Sequence, residues 1–174
     1  MTPFSLATER LVMRHLTVDD ARLMLDLLNS AGWLHFIGDR GVRNIEDAQR
    51  YIETRLLASY ARHGFGHYHL ARRSDGAALG ICGLVKRDTL EDPDVGFALL
   101  PNHAGHGYAT EAAAGVVRFA QKDLGLRRLV AVTQGDNVRS IRLLAKLEFT
   151  FEHLVRLSDD DVDLQLHARE FPPS

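Results

Sequence analysis

The sequence predicts a mixed α/β (α+β) fold, in which a mostly antiparallel sheet contains one parallel strand pair and is flanked by helices. Two observations lead to this class. Segments of strand-like apolar pattern outnumber helical ones, in the order β-α-α-β-β-β-α-β-α-β-β. Only residues 94–133 form a β-α-β unit, and such a unit requires two parallel strands joined by a right-handed crossover.

The first part of the chain is predicted to form one strand and two helices. A strand covers residues 10–16, and Thr17 and Asp20 follow it with the spacing of a capping box. Apolar residues then recur at helical intervals. The same capping pattern recurs at Asn44 and precedes a second helix that ends at Gly64.

The middle of the chain is predicted to form a hairpin and a third strand. Residues 67–73 and 77–86 have strand character and are joined across Ser74-Asp75-Gly76. The Asp-Gly pair suits the positive φ of a tight hairpin turn. Another strand covers 94–100 and ends at Pro101.

The last part is predicted to alternate helices and strands. A helical stripe covers 110–124, a strand covers 127–133 and a helix covers 138–147. The tail from 149 to 169 reads as an antiparallel pair that turns at the Asp159-Asp160-Asp161 run.

Composition excludes several classes of protein. The 174 residues contain no repeat, low-complexity tract or Pro/Ser-rich linker, so we expect a single domain over 1–174. Charges of 21 basic and 23 acidic residues give a net −2, which favours neither a nucleic acid nor a membrane surface as partner. The N-terminus lacks the apolar region of a signal peptide, and no apolar run approaches the ~18 residues of a membrane span. We therefore expect a cytoplasmic protein.

The single cysteine and the histidines give no sign of a metal site. Cys82 cannot form an internal disulfide, and its apolar surroundings predict a small buried side chain. His67 and His69 would share one face of a strand, but no third ligand stands at a suitable spacing. We expect no bound metal.

Gly105 and Gly107 stand where a strand gives way to a helix. A helix N-terminus has unpaired amide hydrogens and a partial positive charge, so a preceding loop without side chains can bind phosphate. A Walker loop would need a lysine where Tyr108 stands. A dinucleotide fingerprint would need a third glycine where Thr110 stands, so an NADP-dependent oxidoreductase is the weaker alternative.

Two motifs together indicate a family. The first is Asn102-His103-Ala104-Gly105-His106-Gly107, followed by Tyr-Ala-Thr-Glu-Ala and preceded by Asp-Val-Gly-Phe-Ala-Leu-Leu-Pro. The second is Asp136-Asn137-x-x-Ser140 with Leu147-Glu148-Phe149. The sequence thereby resembles the GNAT superfamily of acyl-CoA-dependent N-acetyltransferases, in its ribosomal-protein N-terminal acetyltransferase (RimL-like) branch. It departs from that pattern in Asn102, where Gln or Arg is usual, and in Glu148, where Gly is usual.

The resemblance extends from Thr8-Glu9-Arg10-Leu11 to the final strand pair, and it implies acetyl-CoA as the co-substrate. In this GNAT-like fold the two parallel strands splay apart and the pantetheine arm lies between them. The implied backbone contacts of that arm come from Phe97, Ala98, Leu99 and Leu100. The implied diphosphate contacts come from Gly105, His106, Gly107, Tyr108, Ala109 and Thr110. Asn137 would cap the following helix and also reach the cofactor, as would Ser140.

The resemblance also implies two catalytic side chains. Acetyl transfer to an amine needs a base for the ammonium and a proton for the leaving thiolate. Asp94 stands where the branch commonly has a glutamate and would be the base, directly or through water, if burial raises its pKa. The alternative places Asp94 in a solvated turn after Pro93. Ser140 would protonate the thiolate, and the alternative is a serine that only satisfies nearby backbone.

The acceptor is the least defined part. The resemblance implies a groove that includes Trp33, His35 and Phe36, although the two aromatic residues could equally be core. The aspartates at 159–163 would attract a cationic amine or simply form a soluble turn. We expect direct attack by a protein N-terminus or a small-molecule amine in a ternary complex, and by analogy a homodimer. A CoA-binding module without catalysis is the alternative from another class.

Overall fold

In a computed structural model, which describes residues 3–159 and 161–173, eight strands form one sheet in the order β1-β2-β3-β4-β5-β6-β8-β7. The strands are β1 (Ser5–Ala7), β2 (Leu11–His15), β3 (His67–Arg72), β4 (Ala78–Val85), β5 (Asp94–Leu99), β6 (Arg128–Thr133), β7 (Thr150–Val155) and β8 (Leu164–Glu170). Only β5 and β6 run parallel, and the other six pairings are antiparallel. The predicted fold class is confirmed.

The helices follow the predicted order with one addition, at Ala31–Phe36. They are α1 (Ala21–Leu28), α2 (Ala31–Phe36), α3 (Ile45–Tyr51), α4 (Ala58–His63), α5 (Tyr108–Lys122) and α6 (Val138–Lys146). Helices α3 and α4 are one continuous rod, joined by a π-helical turn over Ile52–Leu57. The predicted caps are confirmed, since Thr17 forms a capping box with Asp20 and the Asn44 side chain accepts from the Asp47 amide.

Several local predictions differ from the structure. Strand β1 and helix α2 were not predicted, because three and six residues are too short to establish a periodic pattern. Helix α5 begins two residues before the predicted Thr110. In the β3–β4 connection Gly76 alone has positive φ, so a longer loop replaces the predicted tight turn. Asp160 of the predicted aspartate turn lies outside the described residues.

Helices cover both faces of the sheet. On one face α5 and α6 pack against a core that includes Met13, Tyr68 and Leu84. On the other face α1, α2 and α3 bury a second core around Met24 and Ile52.

Cys82 lies in the first of these cores and is fully buried, as predicted. Burial raises the pKa of its thiol to about 12, so this cysteine is an inert core residue.

The parallel pair diverges almost as soon as it forms. Strands β5 and β6 share one registered pair, Asp94 with Val130, and the Val130 amide donates to the Pro93 carbonyl at 3.0 Å. Beyond that point β5 stays paired with β4 and β6 with β8 along their lengths. Each strand therefore follows its outer neighbour, and a gap opens between them.

Candidate active site

A cavity of about 570 Å³ lies between the diverging strands and the helices α2 to α4. It brings together many of the residues predicted for the site. These are Trp33, Phe36, Asp94, Phe97, Ala98, Asn137 and Ser140. The remaining predicted residues lie outside its lining, namely His35, Leu99, Leu100 and the loop from Gly105 to Thr110.

The backbone of β5 presents hydrogen-bonding groups to the gap. The Leu100 amide donates to the Leu79 carbonyl of the β4 side at 2.8 Å. Because backbone groups of a strand alternate between its two neighbours, the amides of Phe97 and Leu99 face β6. They do so where β6 has already moved away, so two of the four predicted amides point into the gap.

The glycine loop forms an open helix N-terminus. Gly107 is the N-cap of α5 with φ +78°, and Gly105 has φ +83°. A methyl group at Gly105 would meet no atom within 4 Å, and one at Gly107 would lie 3.4 Å from the Arg10 guanidinium. Among the described residues no side chain caps this end of α5. Bare backbone and unpaired amides at a helix start fit an anionic phosphate.

Arg10 and Glu111 fix the glycine loop. Arg10 Nε donates to Glu111 Oε1 at 2.8 Å, and its Nη1 donates to the His106 carbonyl at 2.9 Å. Thr8 Oγ1 donates to the other oxygen of Glu111 at 2.5 Å. Burial would raise the pKa of Glu111, but these hydrogen bonds lower it, so the carboxylate is charged. Sequence reasoning assigned no role to Arg10 or Glu111.

Asp94 is a buried member of β5 and not part of a solvated turn. Its side chain is 3% exposed, and Arg87 Nε donates to Oδ2 at 2.8 Å. Burial raises the pKa of Asp94, and the positive charge of Arg87 opposes that rise. The Asp94 carboxylate therefore lines a cavity in which burial raises its pKa and the Arg87 charge lowers it.

Asn137 caps α6 as predicted. Its Oδ1 accepts from the Ser140 amide at 3.2 Å. The cap satisfies one unpaired amide of the helix start and places both residues on the cavity wall. The Ser140 side chain is half-buried there.

Helix α2 bridges to the loop that follows β6. Gln134 Nε2 donates to the Phe36 carbonyl at 3.1 Å, and His35 Nε2 lies 3.5 Å from Asp136 Oδ2. Trp33 is buried on the cavity wall, whereas the His35 side chain is 64% exposed and lies outside the lining. Of the three residues predicted for the acceptor groove, Trp33 and Phe36 line the cavity.

His67 is a cavity residue that sequence reasoning did not place in the site. The sheet register aligns it with Gly83 on β4, and Gly83 with Gly96 on β5. A side chain at Gly96 would meet His67 Nε2 at 2.6 Å, so the missing side chain makes room for the imidazole. Burial, with a contribution from Arg87, lowers the pKa of His67 to about 4. No local pattern reveals a register across three strands.

The sequence also did not predict the cationic side chains of the cavity lining. Among the described lining residues are Arg40, Arg55, Arg62, Lys86 and Arg87, against the single carboxylate of Asp94.

None of the described aspartates considered for acceptor binding lines the cavity. Asp163 pairs with Arg156 at 2.6 Å, and neither it nor Asp159 lines the cavity.

The residues that the structure describes form neither a metal site nor a membrane-spanning helix. Within residues 3–159 and 161–173, no group of three or more His, Cys, Asp or Glu side chains could hold a metal ion. Over the same residues, no helix combines the length and apolarity needed to cross a bilayer.

Comparison with known sequences gives a family match. Residues 10–150 match the family model described as acetyltransferase (GNAT) domain. The uncharacterized N-acetyltransferase YoaA of Bacillus subtilis is 28% identical over 152 residues, which cover 87% of this chain and 85% of YoaA.

Comparison with solved structures gives the same architecture. An acetyltransferase from Agrobacterium tumefaciens superposes with a TM-score of 0.82 at 23% identity, covering 98% of this chain and 96% of that one. RimJ of Mycobacterium smegmatis, solved in complex with CoA-disulfide, gives 0.80 at 21% identity, with 98% and 90% covered. At these identities the likeness concerns the fold.

Proposed function

Because the chain belongs to the GNAT family of acetyltransferases, we propose that it transfers the acetyl group of acetyl-CoA to a primary amine by direct attack in a ternary complex. Acetyl transfer from an acyl-CoA follows from the family, and the acceptor and the residue roles are our proposal. One observation carries it: β5 and β6 diverge just beyond Asp94, and the cavity between them is bordered by Asp94 and Ser140.

Acetyl-CoA binding is assigned mainly to backbone. The amides of Phe97 and Leu99 would bind the pantetheine arm in the gap. The amides of Ala98 and Leu100 face β4 and would hold β5 in place. The loop from Gly105 to Thr110 would bind the diphosphate at the start of α5. Asn137 would add a side-chain contact from the β6 side of the gap.

Catalysis is assigned to Asp94 and Ser140. Asp94 takes a proton from the acceptor ammonium, and the neutral amine attacks the thioester carbonyl. Collapse of the tetrahedral intermediate breaks the carbon–sulfur bond, and Ser140 donates its hydroxyl proton to the leaving thiolate. The attacking nitrogen, which bears an extra proton after the attack, releases that proton to solvent. Solvent also restores the serine proton and removes the proton held by Asp94. An amide of β5 would stabilise the oxyanion.

The finer assignments rest on the sequence motifs. The glycine-loop and Asn137-Ser140 motifs support the RimL-like branch, in which the acceptor is a protein N-terminus, and a small-molecule amine is the other candidate. Trp33 and Phe36 would form the acceptor wall, with His35 at its rim. One catalytic domain over 1–174, a homodimer and a cytoplasmic location remain predictions.

The test is thiol release from acetyl-CoA across a panel of amines. We expect Asp94→Asn and Ser140→Ala to lower kcat while the Kd for acetyl-CoA, measured by calorimetry, stays near that of the wild type. Asp26→Asn and Ser74→Ala, both outside the cavity, serve as matched controls. Unchanged kcat in both site variants would remove the two role assignments.

The alternatives predict different results. A CoA-binding module without catalysis would bind acetyl-CoA and release no thiol with any amine. An NADP-dependent oxidoreductase, which family membership does not support, would gain Tm from NADPH and not from acetyl-CoA.

A further inference from the structure

We infer that the acceptor is a primary amine that itself carries an anionic oxygen group, a carboxylate or a phosphate. This inference rests on the proposed function, because it names the substrate class for the same cavity.

The cavity carries the opposite charge to the chain as a whole. The chain has a formal net charge of −2, yet Arg40, Arg55, Arg62, Lys86 and Arg87 line the cavity. The only carboxylate among its described lining residues, Asp94, is already paired with Arg87. A concave surface lined by one sign of charge concentrates ligands of the other sign. The cavity therefore favours anions.

Three of these guanidinium groups have no partner among the residues that the structure describes. Within residues 3–159 and 161–173, Arg40, Arg55 and Arg62 form no ion pair and donate no side-chain hydrogen bond, whereas nearby Arg43 and Arg50 pair with aspartates. A guanidinium binds carboxylate and phosphate oxygens through two parallel hydrogen bonds. Unpaired arginines around one cavity thus provide a binding set for such oxygens.

Two further features of the cavity lining indicate that a ligand binds there. Arg55 belongs to the π-helical turn Ile52–Leu57, whose residues Thr54, Arg55 and Leu56 all line the cavity. Such turns are rare and often occur at functional sites. Trp33, which is buried in the lining of the same cavity, has an indole Nε1 with no hydrogen-bond partner among the described residues. A buried N–H donor of this kind is satisfied by an acceptor oxygen.

The phosphates of acetyl-CoA do not account for these cations. Lys86 and Arg87 follow β4 beside Asp94, at the start of β5, whereas the glycine loop follows the far end of that strand. The six residues of β5 span roughly 17 Å. The glycine loop has its own cation in Arg10, which contacts His106. Lys86 and Arg87 therefore lie too far from the glycine loop to bind the diphosphate there, and we assign the cavity cations to the second substrate.

The size of the cavity limits the acceptor to a small molecule or the first residues of a peptide. The volume of about 570 Å³, which the acceptor would share with the pantetheine arm, is within the range of small-ligand pockets. A polycationic amine would be repelled by the arginines, so polyamines are disfavoured.

Matched acceptor pairs test the inference. O-phosphoethanolamine is compared with ethanolamine, and the C-terminally amidated peptide Ser-Glu-Asp-Glu with amidated Ser-Gln-Asn-Gln, by kcat/KM for thiol release from acetyl-CoA. We expect the anionic member of at least one pair to be preferred about tenfold or more, the size of one charge-assisted contact. The pair that responds distinguishes a phosphorylated small amine from an acidic peptide end. The preference should weaken as NaCl is raised.

Variants then connect the preference to the cavity. Arg55→Gln combined with Arg62→Gln should abolish the preference, whereas Arg22→Gln, on an exposed α1 position outside the cavity, should retain it. Equal kcat/KM for both members of each pair, or a preference for the neutral member, would overturn the inference and leave the proposed function intact. Acetyl-CoA binding without thiol release from any acceptor would instead overturn the proposed function, and this inference with it.

Discussion

Arg87 donates a hydrogen bond to the buried carboxylate of Asp94 at 2.8 Å, directly where β5 and β6 begin to diverge. Burial raises the pKa of Asp94 and so favours its protonated form, and the guanidinium of Arg87 counteracts that rise. A base must be ionised to accept a proton, so the pair sets the lowest pH at which Asp94 acts.

The first prediction concerns the pH profile. Arg87→Gln removes the opposing charge, so the pKa of Asp94 rises further, and the acidic limb of kcat/KM moves to higher pH. Rates at neutral pH fall and partly recover at alkaline pH. Arg156→Gln, which breaks an exposed ion pair outside the cavity, is the control. An acidic limb that does not move in Arg87→Gln would show that Asp94 is not the titrating base.

The second prediction concerns the glycine loop. Gly107→Ala and Gly125→Ala both place a methyl group on backbone with positive φ, +78° and +66°. Each should lose about 1 kcal/mol of stability, read from Tm and denaturant unfolding. Only Gly107→Ala should weaken acetyl-CoA binding, by about tenfold in Kd, because Gly125 follows the opposite end of α5. Equal acetyl-CoA affinity in the two variants would exclude the loop as the diphosphate site.

The third prediction concerns the imidazole of His67. Its pKa is lowered by burial to about 4, from 6.5 in the unfolded chain. Between these values the unfolded state binds the proton and the folded state does not, so stability falls as pH falls from 6.5 towards 4. His67→Gln should flatten this part of the stability curve relative to the wild type. In the NMR spectrum the His67 ring should titrate near pH 4, and titration near 6.5 would contradict the prediction.

The fourth prediction concerns the turn after α6. Glu148 is the only non-glycine residue with positive φ among those described, at 65°. Its side chain is 76% exposed and pairs with Arg169 at 2.9 Å, an interaction of little net value at the surface. Glu148→Gly should therefore raise stability by about 1 kcal/mol, because glycine adopts this conformation without steric cost.

Glu148→Ala separates the two contributions at that turn. It removes the ion pair with Arg169 but keeps the Cβ that causes the strain, so denaturant unfolding should show no gain. A gain in Glu148→Ala equal to that of Glu148→Gly would point to the ion pair, and not the backbone, as the source of instability.

Features encoded over a few residues could be predicted from the sequence. The capping pairs at Thr17, Asn44 and Asn137 are present as expected, because a capping bond joins residues two or three positions apart. The spacing of apolar residues predicted seven of the strands and the long helix α5. The β-α-β unit predicted the parallel strand pair. The motif around Gly105 and Gly107 indicated the family, which the match over 10–150 confirmed.

Contacts between distant segments could not be predicted. Arg10 meets Glu111, and His67 lies over Gly96, only because strand register brings these segments together. The same holds for the arginines that line the cavity from α4, its π-helical turn and the loop after α2. The sequence alone determined the order of the longer elements, their caps and the glycine loop, since these depend on neighbouring residues. The tertiary structure decided which charges face the cavity, because strand register and helix packing depend on the whole core and leave no local pattern.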